Sequence, residues 1–214
     1  MTVFVMIRHG QSQANLDFRF AGQSDSPLTE QGVLQAERLT EWVAGHYSID
    51  KIYSSDLCRA HQTAVPVARR MGLDIIKDES FREIFAGRWQ GQAYELIKET
   101  YADDYACWLS DIGRARCTEG ESVRELAERV TLRMKELGEK ESGKTVLIST
   151  HATPIRAFQT VCQRGDVSFA KDIPWTANAS VSVCVYEKGE FSFSLIGYND
   201  YLADLKSKFP SGVV

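Results

Sequence analysis

The sequence predicts an α/β fold: a three-layer α/β/α sandwich around a mostly parallel central sheet. Three observations carry that expectation. Short apolar runs rich in β-branched residues alternate along the chain with longer stretches of helical period. Two of those runs, residues 3–7 and 145–149, stop abruptly at polar, chemistry-bearing side chains, Arg8-His9 and Thr150-His151. Late in the chain, residues 180–186 and 191–198 alternate apolar and polar positions around Lys188-Gly189, which is the pattern of a hairpin.

The elements follow in order. Val3-Phe4-Val5-Met6-Ile7 has the length and composition of a buried strand, and Gly10 just beyond it allows a sharp turn and the close approach of a ligand. A long polar loop, residues 11–28, contains Gly22 and Pro27, and loops of that length in compact domains tend to be functional. A helix is expected over 29–46, with Leu34, Leu39, Trp42 and Val43 facing inward. A second strand, 51–54, precedes a helix N-capped by Asp56 and running to about Met71, and 73–77 is a third strand candidate. Residues 79–120 are the least legible, with a turn over 87–91 and two short helices, 94–100 and 103–110. Ser122-Val123-Arg124-Glu125 has the capping-box pattern and opens a long amphipathic helix to about Glu141. The strand at 145–149 then leads into a helix whose first turn accommodates Pro154.

Bulk properties narrow the function classes. The chain has 214 residues, 43% hydrophobic and 25% charged, which suits one domain spanning 1–214. Its net charge of −4 and pI near 5.6 argue against a nucleic-acid partner. No apolar stretch approaches the roughly 18 residues of a membrane span, and the N-terminal run lacks the flanks of a signal peptide. Five scattered cysteines without a C-x-x-C pair suggest reduced thiols, and hence a cytoplasmic location, rather than disulfides or a zinc site.

In a parallel sheet the strand ends point the same way, and ligands sit outside the carboxyl ends. Arg8, His9 and His151 stand at such ends, and Arg59 falls in the first turn of the helix after the second strand. These four residues can converge beside helix N-termini that favour anions, which makes a site for a phosphate dianion. Taken singly, Arg59 pairing with Asp56 and His151 as a satisfied core histidine are equally open.

Arg8-His9-Gly10-Gln11-Ser12, Asn15, Arg19-Phe20-Ala21-Gly22, Asp25 and Pro27-Leu28-Thr29 resemble the signature of the histidine phosphatase superfamily, which includes cofactor-dependent phosphoglycerate mutase. The blocks Ser54-Ser55-Asp56-Leu57 with Arg59-Ala60, Phe81-Arg82-Glu83-Ile84, Gly120-Glu121-Ser122, and Ser149-Thr150-His151 with Pro154-Ile155-Arg156 continue the resemblance in order over about residues 3–160. It implies a phosphoglycerate mutase-like fold and a phosphomonoesterase acting on a small phosphorylated metabolite. His9 would be the nucleophile and Glu83 the general acid, then base. Arg8, Arg59 and His151 would clamp the phosphoryl oxygens, with Asn15, Gly22 and Ala152 at the substrate. It implies no cofactor and no metal.

Departures from the family pattern also count. Ala152 stands where glycine is commonest, and Ala21 where the mutases carry a hydroxyl residue. The mutases' longer insertion with adjacent arginines is represented only by the separated Arg114 and Arg116. A phosphoglycerate mutase is therefore the alternative enzyme reading, and a catalytically dead binding protein the non-enzymatic one. Arg82 and Arg156 are expected as structural partners, Glu79 and Glu121 as surface acids, and His46 and His61 as surface histidines. Trp89 is open between pocket wall and core, and Trp175 is a weaker candidate for the wall. The substrate is open among sugar phosphates, phosphoglycerates, nucleoside monophosphates and a cobamide-pathway phosphate. For the assembly, a homodimer is one open alternative.

Overall fold

The N-terminal apolar run forms β1 (Thr2–Arg8), in which only Val3 is not buried. This was established in a computed structural model that describes residues 1–207; residues 208–214 of the expected domain lie outside the described residues. β1 sits near the middle of a six-stranded sheet with β2 (Lys51–Ser54), β3 (Ile75–Lys77), β4 (Thr145–Thr150), β5 (Val181–Glu187) and β6 (Glu190–Tyr198). The strand order is β3-β2-β4-β1-β5-β6. The first four strands run parallel to one another, and the β5–β6 hairpin adds antiparallel to β1. The hairpin turns on Lys188 and Gly189, both at positive φ, which is the backbone of a tight turn that matches strand twist.

Helices cover both faces because neighbouring strand residues point to opposite sides. Val5, Ile7, Ile52 and Leu147 pack beneath α2 (Glu30–His46) and α3 (Cys58–Met71). Phe4, Met6, Tyr53, Val146 and Ile148 pack on the other side, against α6 (Val123–Lys140) and α7 (Ala152–Arg164). Two shorter helices, α4 (Tyr94–Thr100) and α5 (Ala102–Ser110), lie between β3 and α6 in sequence, as expected. Ser122 and Glu125 form the anticipated capping box of α6.

Local expectations needed correction. The loop over 11–28 contains a short helix, α1 (Gln13–Leu16), closed by a Ser12–Asn15 capping box. β3 is shorter than the 73–77 run. Leu34 faces solvent at 48% exposure, because the inward face of α2 is set by Gly32, Gln35, Ala36, Leu39, Thr40 and Val43. Gly32 fixes that rotation, since a Cβ there would lie 2.0 Å from the Gln11 carbonyl oxygen. Gly10 answers it from the other side, where a Cβ would lie 2.5 Å from the Gly32 carbonyl oxygen. Gly10 is therefore required by a backbone-to-backbone contact, and it is not among the glycines at positive φ. Asp56 does not cap α3. It is drawn to Arg82 (2.7 Å), and the Cys58 N–H donates instead to Asp25 Oδ1 (3.0 Å) of the preceding loop.

Candidate active site

Strand register brings the two histidines together. Arg8 pairs with Thr150 across β1 and β4, so the next residues, His9 and His151, leave the sheet side by side with ring centroids 5.1 Å apart. Ser54 pairs with Ser149, which sets Ser55 beside His151, and Ser55 Oγ lies 2.9 Å from His151 Nε2. Gly10 N–H donates to Thr63 Oγ1 (3.0 Å) and Asn178 Nδ2 donates to the His9 carbonyl (3.2 Å), so α3 and the segment before β5 pin the turn.

His9 is held in one tautomer. Its Nδ1 lies 2.6 Å from the Gly10 carbonyl, which can only accept, so Nδ1 carries the proton and Nε2 keeps its lone pair. Burial, then Arg59, then Arg8 push the His9 pKa well below its usual value, and the ring is neutral at pH 7. Burial, with Arg59 next, does the same to His151. His151 Nδ1 is buried and makes no hydrogen bond among the described residues. The fixed positive charges at this point are thus two guanidiniums. Arg8 donates to the Thr176 carbonyl, and burial lowers its pKa to about 10. Arg59 is buried on α3 and donates to the carbonyls of Gly22 (2.7 Å) and Ser24 (3.0 Å), not to Asp56. Two cations among neutral imidazoles match the charge of one phosphate dianion.

Arg8, His9, Asn15, Gly22, Arg59, Glu83 and Ala152 all line one cavity of about 60 Å³. That is room for a small anionic group. His151 lies behind the lining, fully buried against His9. Asn15 Oδ1 accepts from Ser12 N–H (3.1 Å) and Asn178 Nδ2 (3.1 Å), which leaves its amide nitrogen to donate elsewhere. Gly22 sits at φ +53, and its carbonyl orients Arg59. Ala152 opens α7 without positive φ, so the missing glycine costs no strain. Size does not single out this cavity. A groove of about 760 Å³ between α2 and α3 is larger, but its lining, with Glu37, Arg38, Thr40, Glu41, Arg69 and Arg70, contains no histidine.

Glu83 enters on a loop that is held from several sides. Its own Oε1 accepts from Ile84 N–H (2.9 Å). Arg129 on α6 donates to the carbonyls of Ser80 (2.8 Å), Arg82 (2.9 Å) and Glu83 (3.0 Å). Glu121 receives Arg129 Nε (2.7 Å) on one oxygen and Phe85 N–H (3.0 Å) on the other. Glu121 is therefore no surface acid; it braces the loop that carries Glu83. Arg129 was missed because a lone arginine on an amphipathic helix carries no sequence signal.

Other assignments divide. Arg82 pairs with Asp56, and Arg156 packs over Trp175 with its guanidinium 4.3 Å from the ring centroid. Trp89 belongs to the core, fully buried, with its indole N–H on Thr118 Oγ1 (3.0 Å). Trp175 does line the cavity, joined by Tyr94 and Trp108, which sequence reasoning overlooked. Arg114 and Arg116 pair with Asp111 and Glu125, away from the cavity lining. The five cysteines are free thiols. Among the described residues no three His, Cys, Asp or Glu gather so as to hold a metal ion, and no helix is long and apolar enough to cross a membrane.

Comparison with known proteins gives the family. The family model for the histidine phosphatase superfamily (branch 1) matches residues 4–199. Phosphoserine phosphatase 1 of Hydrogenobacter thermophilus is 30% identical over 168 residues, 78% of this chain and 79% of that protein. A probable phosphoglycerate mutase of Escherichia coli is 34% identical over 146 residues, 68% of this chain and 67% of that protein. Among solved structures, a mycobacterial glucosyl-3-phosphoglycerate phosphatase superposes with a TM-score of 0.85 at 28% identity, covering 92% of this chain and 99% of its own.

Proposed function

This chain belongs to the histidine phosphatase superfamily, branch 1, and is a phosphatase; from that premise we propose that it hydrolyses a small phosphomonoester through a phosphohistidine on His9. The observation that carries the reading is the locked His9 ring, with Nδ1 on the Gly10 carbonyl and Nε2 left unprotonated between two guanidiniums. Arg8 and Arg59 take the non-bridging oxygens and offset the charge that spreads over them during transfer. His151 Nδ1 and the Asn15 amide nitrogen donate to the same group.

His9 Nε2 attacks phosphorus as the bond to the leaving oxygen breaks, and Glu83, entering as the acid, gives that oxygen its proton. Water then attacks the phosphoryl group while Glu83 takes a proton from it. The phosphorus–nitrogen bond breaks, and His9 and Glu83 return to their starting states. The relatives named phosphoserine phosphatase and glucosyl-3-phosphoglycerate phosphatase support hydrolysis of a metabolite ester. The mutase reading returns the phosphoryl group to a substrate hydroxyl and has a relative of that name behind it. It is disfavoured here because Arg114 and Arg116, the candidates for a phosphoglycerate carboxylate in that segment, are engaged with acids.

The test is a phosphate-release screen over a metabolite panel, run beside a mutase assay on 3-phosphoglycerate. Phosphate release with no phosphoryl transfer between substrate hydroxyls is the expected result. His9→Ala should abolish both turnover and labelling of the protein by substrate phosphate; full turnover by that variant would refute the mechanism.

A further inference from the structure

Trp108 and Trp175, with ring centroids 6.1 Å apart, wall the active-site cavity and also border a second cavity of about 240 Å³. Arg156, Lys171 and Ser110 complete the polar part of its lining. Arg156 is 7% exposed, yet it has no acidic partner among the described residues. Its Nε donates to the Ala170 carbonyl (2.9 Å), its face covers Trp175, and its two terminal nitrogens make no hydrogen bond among the described residues. The other partly buried arginines outside the phosphate clamp, Arg82, Arg129 and Arg133, each hold a carboxylate. Burial alone lowers the Arg156 pKa, to about 10, so it remains a cation at pH 7. A buried cation without a counter-charge is costly, and the open cavity beside it is where an anion would be bound.

We propose that this second cavity is an anion subsite in which Arg156 and Lys171 hold a second acidic group of the substrate, a carboxylate or a further phosphate. The proposal rests on the phosphatase reading and narrows it to phosphomonoesters with a second acid. The indoles are the shared wall, so such a substrate lays its connecting atoms along Trp175. That residue lies in the stretch 173–180, which has neither helix nor strand. Arg156 supplies the planar fork that suits either anion, and Lys171, exposed at the rim, adds a point charge.

The experiment uses the full chain carrying His9→Ala, so that esters bind without turning over, and reads tryptophan fluorescence. Two pairs of esters differ by one carboxylate: 3-phosphoglycerate against glycerol 3-phosphate, and phosphoserine against phosphoethanolamine. In at least one pair the carboxylate member should bind about tenfold tighter or better, the scale of one charge-assisted hydrogen bond. That margin should shrink to less than about threefold when either Arg156→Lys or Lys171→Gln is added. The Lys171 change, on an exposed side chain, leaves the fold intact. No margin in either pair, or a margin that survives both substitutions, overturns the subsite. Failure of the unsubstituted chain to release phosphate from any ester, phenyl phosphate included, refutes the phosphatase reading and leaves the binding margin to be judged separately.

Discussion

Replacing Glu121 by glutamine tests whether the acid loop needs its brace. Glutamine keeps one oxygen for Phe85 N–H but turns an NH2 group toward Arg129, where a carboxylate oxygen had accepted at 2.7 Å. Both side chains are less than a third exposed, at 14% and 25%, so solvent screens the pair only in part. Loss of one charge-assisted hydrogen bond should cost about 2 kcal/mol, a fall in Tm of roughly 4–8 °C for a chain of this size. Arg129 still has the Ser80, Arg82 and Glu83 carbonyls, so the loop should shift rather than unfold. A displacement of about 1 Å at a catalytic group can cost on the order of 100-fold. The loss should fall on proton transfer to the leaving oxygen. Steady-state kinetics on phenyl phosphate and p-nitrophenyl phosphate separates the two effects. The phenyl ester should lose roughly 10- to 100-fold in kcat/KM, and the nitrophenyl ester, whose leaving group needs little proton help, several-fold less. A lowered Tm with an unchanged ratio between the two esters would refute the positioning argument and leave Glu121 a purely stabilising residue.

Further outcomes are open to direct measurement. Glu83→Gln should slow phenyl phosphate far more than p-nitrophenyl phosphate, by roughly 100-fold or more against a small effect; equal slowing would remove Glu83 from the acid role. Gly10→Ala forces a Cβ to 2.5 Å from the Gly32 carbonyl oxygen, backbone against backbone. It should cost about 3 kcal/mol, or roughly 6–12 °C in Tm, and an unchanged melting curve would contradict the contact. His9 and His151 both have pKa values well below normal, so below about pH 6.5 the unfolded chain takes up protons that the folded chain refuses. Stability is therefore full above that pH and declines as pH falls, with a slope approaching about 2.7 kcal/mol per pH unit from the two rings. Tm against pH for the wild type and for His9→Gln should differ by about half that slope, and identical profiles would show that His9 is not suppressed.

The candidate site was legible because several of its residues close strands. A run of buried β-branched residues ending in Arg8-His9, and a second ending in Thr150-His151, can be recognised before any pairing is known. The wall of the cavity was not legible. Tyr94 and Trp108 come from short helices whose orientation depends on long-range packing, and Glu121 and Arg129 meet the acid loop only in three dimensions. The inward face of α2 was misjudged because hydrophobicity favoured Leu34, whereas a backbone contact at Gly32 set the rotation. Asp56 looked like a cap because local sequence could not reveal that Arg82 would claim it.

The pairing of β1 with β4 has a further consequence for biosynthesis. Arg8 and His9 leave the ribosome before their partners: the carbonyl of His9 is held by Asn178, 169 residues later, and His151 directly follows the strand that must insert beside β1. Until that distant segment has emerged and docked, the His9 ring has no partner histidine beside it. Closure of so long a loop is a late and comparatively slow event in folding. On the proposed mechanism, the imidazole thus becomes competent only once β4 and the segment around Asn178 have docked, and an incompletely synthesised chain would be chemically silent.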